Sequence, residues 1–366
     1  MGYRLRRQTS TLAKMKKPLI LITLLTVFNS YGENTDFYFS PDERLFTAFA
    51  FMNAAGFNGE FRDEGMNPIR LEIRDLVKGK LDQEYLKRIR KFHRKTMNWS
   101  WSSYAPAALS LGSSPEFELS IDQSESEVSP EVIENAKALS ALLKEFYDKA
   151  EIKIIWEKYK EQLEVQNLQY KPYSNVAFQD IKELLNVNHV VQGERGYPVH
   201  FMVCPQMSYF TAQQCTINGV LYIISGPRDG EPSKSLFYHE ALHEVVNPAV
   251  DAHLELLMSK SDLFEIQLIY KNPRYDDWVT LTHESFVRTI DMILQGKEFN
   301  HTNERIEERV YDEYRLGFTL SPYIYERIKH ETFEDISFSK FVRKCIADID
   351  IEGEKSRLEE FWKDKS

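Results

Sequence analysis

The chain has 366 residues, 42% hydrophobic and 13% aromatic, enough to bury one large core or two joined lobes, which excludes a wholly disordered protein. Its 56 acidic residues outnumber 46 basic ones, a formal charge of −10 that speaks against nucleic acid as a partner. Three cysteines are too few for a disulfide-stapled scaffold.

Residues 1–32 contain no acid, and Lys16-Lys17 precede an apolar stretch from Pro18 to Phe28 that ends in Ser30-Tyr31-Gly32. Basic flank, apolar centre and small-x-small ending predict a secretory signal peptide, hence a secreted or periplasmic protein. The apolar stretch is eleven residues long, short of the roughly 20 that span a bilayer, so no stable membrane anchor is expected. Cleavage would remove six basic residues and take the charge to −16 over residues 33–366.

Residues 33–195 read as a mainly helical N-terminal region. Ser40-Pro41-Asp42-Glu43 and Ser129-Pro130-Glu131 each place a capping side chain, a proline and an acid ahead of apolar residues at helical spacing. The helical period fades between Met97 and Gln123, where Trp99, Trp101 and Tyr104 predict an aromatic-anchored connection or a loop across a cleft. From residue 196 the texture changes. Val199–Tyr209 and Gly219–Ser225 predict two strands, neighbouring and antiparallel, with Val220–Ile224 at a cleft edge or as an ordinary sheet strand. Cys204 and Cys215 then fall where a disulfide could join neighbouring strand ends.

The next segment carries the chemistry. His239-Glu240-Ala241-Leu242-His243 is an HExxH motif in an apolar helical run, with Ser233 and Ser235 as N-caps and Asn247-Pro248 as the predicted stop. Helical geometry puts positions i and i+4 on one face, so both imidazoles reach one metal ion and Glu240 stands beside the water the metal would activate. Catalytic zinc takes a third protein ligand. The HExxHxxGxxH extension is excluded, because Val246 and Ala249 occupy its glycine and third histidine. Helical patterns follow at 250–270, 280–294, 303–314, 322–329 and 339–347. On the second of these, Glu284 is the predicted third ligand, with His283, Asp251, Asp276 and Asp277 as competitors.

HEALH and the separate HESFVR helix resemble the gluzincin class of zinc metallopeptidases. More narrowly, HEALHEVVNP, the E-x-x-V-R helix and Gly317-Phe318 are similar to a family of uncharacterised secreted bacterial proteins, across about residues 196–330. The resemblance implies an α+β, zincin-like fold, mostly helical, with a small antiparallel or mixed sheet before the HExxH helix. It makes 196–366 the catalytic region with C-terminal helices. It implies a Zn2+ cofactor held by His239, His243 and Glu284, Glu240 as general base, and a peptide or protein substrate. A transition-state donor is expected among Tyr311, Tyr314, Tyr323, Tyr325 and His330, with Tyr323 first. Where many gluzincins carry an Asp four residues after the ligand Glu, this chain has Arg288, so histidine support falls to Asn247, Glu244 or Asp291. A zinc hydrolase of a non-protein substrate and an exported non-catalytic binding protein of the same fold remain the rival expectations.

Overall fold

The computed structural model describes residues 36–363 apart from 61–64, 99, 122–127, 192–196, 270–274, 276, 332 and 334–335. In chain order these residues form β1 (Phe37–Tyr38), α1 (Glu43–Ala55), α2 (Pro68–Lys80), α3 (Gln83–Lys95), α4 (Tyr104–Leu109), α5 (Pro130–Lys149), α6 (Ile152–Leu168) and α7 (Lys171–Leu185). The strands β2 (Val199–Val203), β3 (Ala212–Ile217) and β4 (Val220–Ser225) follow. Then come α8 (Ser235–Asp251), α9 (Leu254–Met258), α10 (Asp262–Ile269), α11 (Trp278–Glu298), α12 (Asn303–Arg315), α13 (Ser321–Lys329), α14 (Phe338–Ala347) and α15 (Ile351–Lys363). The expected α+β class holds: a mostly helical chain around one small mixed sheet. The predicted signal peptide, Asp276 and the 195/196 boundary lie outside the described residues.

The sheet runs β1-β2-β4-β3, with β1, β2 and β4 mutually parallel and β3 antiparallel to β4. Alternate side chains of a strand point to opposite faces. Val199, Phe201, Leu221 and Ile223 therefore enter the core built with α7, α8 and the C-terminal helices. Met202, Tyr222 and Ile224 enter a second core built with α1–α6. A strand buried on both faces reads as an unbroken apolar run, as Val220–Ile224 does.

Two strand expectations are corrected. β2 and β4 are neighbours but parallel, because the unforeseen β3 supplies the return strand between them in sequence. Val220–Ile224 is an interior strand, and the free edge belongs to Ala212–Ile217, whose Gln213 and Gln214 hide it from a search for apolar runs. The Cys204–Cys215 disulfide is absent: both thiols are free, and β4 lies between the strands that bear or adjoin them.

Helix ends show similar detail. Ser129 caps α5 through the Val132 amide with Pro130 in the first turn, as expected, whereas α1 is capped by Asp42 rather than Ser40. Pro248 does not stop α8, which continues to Asp251. An interior proline costs about 3 kcal/mol. Burial of the flanking Val246, Ala249 and Val250 in the core offsets it. Among the described residues, no helix is long and apolar enough to cross a membrane.

Candidate metal centre

α8 presents its apolar side, Leu236, Phe237, Leu242 and Val246, to the core, each such side chain contributing about 1.5–3 kcal/mol when fully buried. The histidines at i and i+4 are left on the opposite side, against α11. Neither predicted serine caps α8: Ser233 and Ser235 hydrogen-bond to each other at 2.8 Å, and the Lys234 amide donates to Glu298 Oε1 of α11 at 3.2 Å. One helix thus satisfies the other's open first turn, which fixes their relative register.

That register brings the predicted ligands together. His239 Nε2 lies 3.9 Å from Glu284 Oε2 and His243 Nε2 lies 3.6 Å from Glu284 Oε1, with one donor atom from each of the three residues within 4.8 Å of one another. Donors bound about 2.1 Å from a common tetrahedral centre stand about 3.4 Å apart, so the trio needs only a small contraction around an ion. Among the competitors, His283 is engaged with Asp251 at 2.9 Å, and Asp277 caps α11 through the Thr280 amide.

Two of the residues expected to support the imidazoles stand beside them, Asn247 within hydrogen-bond distance and Asp291 just beyond it. Asn247 Oδ1 stands 3.3 Å from His243 Nδ1, one turn along α8, and Asp291 Oδ2 stands 3.7 Å from His239 Nδ1. A partner on Nδ1 leaves Nε2 toward the metal position. Arg288, one turn after Glu284 on α11, donates from Nε to Glu284 Oε2 at 3.0 Å and from Nη1 to Glu313 at 3.2 Å, and lies over the Phe318 ring. It therefore holds the third ligand rather than a histidine.

The electrostatics separate the two histidines. Burial works against charge on His239, but Asp291, Glu240 and Glu284 override it and raise its pKa. Burial and the neighbouring His239 push His243 down to about 4. Glu284 is lowered: burial opposes the charged form, and His239, His243 and Arg288 restore it. Glu240, only 4% exposed, is pushed up to about 7 by burial, helped by the charges of Glu284 and Asp291.

The trio opens into a cavity of about 810 Å³. Its wall includes Trp101, Phe210, Gln213, Gln214, Tyr275 and Arg288, with Arg228 close enough to Glu240 to feel its charge. Trp101 thus reaches the cleft, as the loop reading allowed, while Tyr104 is fully buried and bonded to His93. None of the five predicted donors lines this cavity. Tyr323 donates to the Cys345 carbonyl, Tyr325 to the Asn303 carbonyl, Tyr314 packs on Phe361, Tyr311 is exposed, and His330 is 79% exposed beside Glu326. Tyr275, nine residues before Glu284 instead of after it, is the tyrosine that does, its phenol held protonated by burial and by Glu284 with a pKa of about 12. Arg228 has a signal in the sequence after all: it stands in the short connection from the last strand to the metal helix, which must pass the site.

Comparison of the chain with protein-family models, with curated proteins and with solved structures gave no match.

Proposed function

We propose that the protein is an exported zinc-dependent metallopeptidase of gluzincin-like, zincin-type fold, hydrolysing peptide bonds in a peptide or protein substrate. The observation that carries this reading is the convergence of His239, His243 and Glu284 beside a buried Glu240 at the floor of a large cleft. Two imidazoles and one carboxylate with support on each are a donor set suited to zinc. A zinc ion held there would polarise a substrate carbonyl and make water a nucleophile near neutral pH. Glu240 would take the proton of the attacking water on its carboxylate and return it to the leaving amine. Tyr275 replaces Tyr323 as the proposed donor to the developing oxyanion. The free edge of β3 offers main-chain hydrogen bonds to an extended peptide, the role expected of Val220–Ile224.

Elemental analysis of the dialysed protein tests the core of this reading. About one zinc per chain is expected, with Glu284→Ala releasing it on dialysis. A folded chain that takes up no supplied zinc would leave the binding-protein reading in its place. Zinc without cleavage of any peptide in a mixed library would point instead to a non-protein substrate.

A further inference from the structure

Among the described residues most recessed arginines are ion-paired; Arg309 donates instead to Gln295 Oε1 at 2.7 Å, and Arg228 has no comparable partner. Arg70 meets Glu60 at 3.3 Å, Arg44 meets Asp42 at 2.6 Å, and Arg288 meets both Glu284 and Glu313. Arg228 forms no salt bridge among the described residues; its one hydrogen bond there is a long one, from Nε to Ser225 Oγ at 3.4 Å. Yet it is partly buried in the wall of the cleft, where burial outweighs the attraction of Tyr170, Glu240 and Asp291 and lowers its pKa. A guanidinium withdrawn from water, with Glu240 and Asp291 attracting it but not in salt-bridge contact, is a costly arrangement that a ligand anion in contact would relieve.

Its position is also fixed. The Gly226 amide donates to the Thr211 carbonyl at 2.8 Å and the Phe210 amide to the Pro227 carbonyl at 3.0 Å, clasping the backbone just before Arg228. A Cβ at Gly226 would stand 2.0 Å from the Ser208 carbonyl oxygen, so only glycine permits that approach. Such pre-organisation suits a binding group better than a solvated surface arginine.

Charge in the cleft points the same way. Glu240, Glu284 and Asp291 line the cleft with Arg228 and Arg288, and Arg288 is paired with both Glu284 and Glu313. A divalent cation among the ligands would offset the acids of this lining, and Arg228 forms no salt bridge with any of them among the described residues.

We propose that Arg228 anchors a carboxylate of the substrate, so that the cleft selects peptides bearing a free C-terminal carboxylate or an acidic side chain close to the bond presented to the metal centre. The proposal rests on the hydrolase reading for the chemistry after binding, but the binding itself does not require turnover. Arg228 would present its N–H donors to the carboxylate as a fork, which a lysine cannot reproduce.

Calorimetry on the zinc-supplied Glu240→Gln protein tests this without hydrolysis, using N-acetyl-trialanine, its C-terminal amide, and the amide of N-acetyl-Ala-Glu-Ala. At least one carboxylate peptide should bind roughly 10- to 100-fold tighter than the trialanine amide, and which one does so identifies the source of the anion. Adding Arg228→Gln should bring the acid and amide within about twofold of each other, with Arg228→Lys between. Binding of both carboxylate peptides no tighter than the trialanine amide, or a preference that survives Arg228→Gln, overturns the proposal. If Arg228→Gln does not fold, the acid-to-amide comparison between the Arg228 protein and Arg228→Lys still decides it. Zinc content measured on the same samples separates the two readings. A chain without zinc that still prefers the carboxylate loses the hydrolase reading and keeps this one; a zinc-bound chain indifferent to the carboxylate does the reverse.

Discussion

His93 and His239 are both withdrawn from solvent, and their surroundings give them opposite uses. His93 is fully buried in the N-terminal core, where its Nδ1 stands 2.9 Å from the Tyr104 hydroxyl and the Phe57 ring packs edge-on. Burial alone pushes its pKa down to about 4. His239 keeps 23% of its side chain exposed and faces carboxylates, and its pKa rises despite burial. A histidine among aromatic rings is locked neutral as part of the packing. One among acids at a cleft has positive charge drawn to it, and a metal ion can supply that charge as well as a proton can.

The contrast is tested most severely at Glu240. Glu240→Gln keeps the shape of the cleft and removes the base, so peptide cleavage should fall about 10²- to 10⁴-fold while bound zinc stays at one per chain. Loss of zinc in that variant would show that Glu240 serves the metal site rather than the reaction. Asp291→Asn is expected to act one step further out, lowering zinc affinity by about 10- to 100-fold in a competition assay with a chelator. An unchanged affinity would mean that the carboxylate 3.7 Å from His239 does not orient it.

The smallest effect falls on the fully buried histidine. His93→Leu should lower the unfolding free energy by about 1–3 kcal/mol and leave zinc binding alone, because it strands the Tyr104 hydroxyl. The sign of the pH effect comes from the shift. His93 has a folded pKa below the ordinary value, so its contribution is present above about pH 6.5 and is lost as pH falls toward 4. His239 runs the other way in the metal-free chain, stabilising it at low pH and losing that contribution as pH rises through its elevated pKa. Denaturant melts of the metal-free protein across this range should become less acid-sensitive in His93→Leu.

How much the sequence disclosed depends on how local each feature is. The HExxH pair and the cap of α5 depend on residues within a few positions of one another, Glu284 is legible from its place on a later long apolar helix, and helices α11–α14 begin and end close to their predicted limits. Pairing of strands is not local. β3 carries glutamines toward a cleft instead of alternating apolar residues toward a core, and the parallel contact of Val199 with Leu221 depends on that unseen strand. Tyr275 and Arg228 reach the metal centre from connecting segments, where no periodicity betrays which way a side chain points. Pro248 was legible as a helix breaker, but its cost is smaller than the burial of the turn that follows it.

The two-faced sheet has a consequence for how the chain reaches its native state. β1 joins β2 through Phe37 and Val199, and Met202 and Ile224 close the core of helices that precede them by many residues. Ordering the centre of the molecule therefore requires loop closures spanning more than half of the N-terminal sequence, a topology that slows folding and makes it depend on late-arriving segments. The histidines of the metal centre, carried on the helix immediately after β4, would become correctly placed only near the end of that process. Any metal that His239, His243 and Glu284 hold would then be taken up as a finishing step, and a truncated product beginning near residue 197 would expose Met202, Tyr222 and Ile224 and be prone to aggregate.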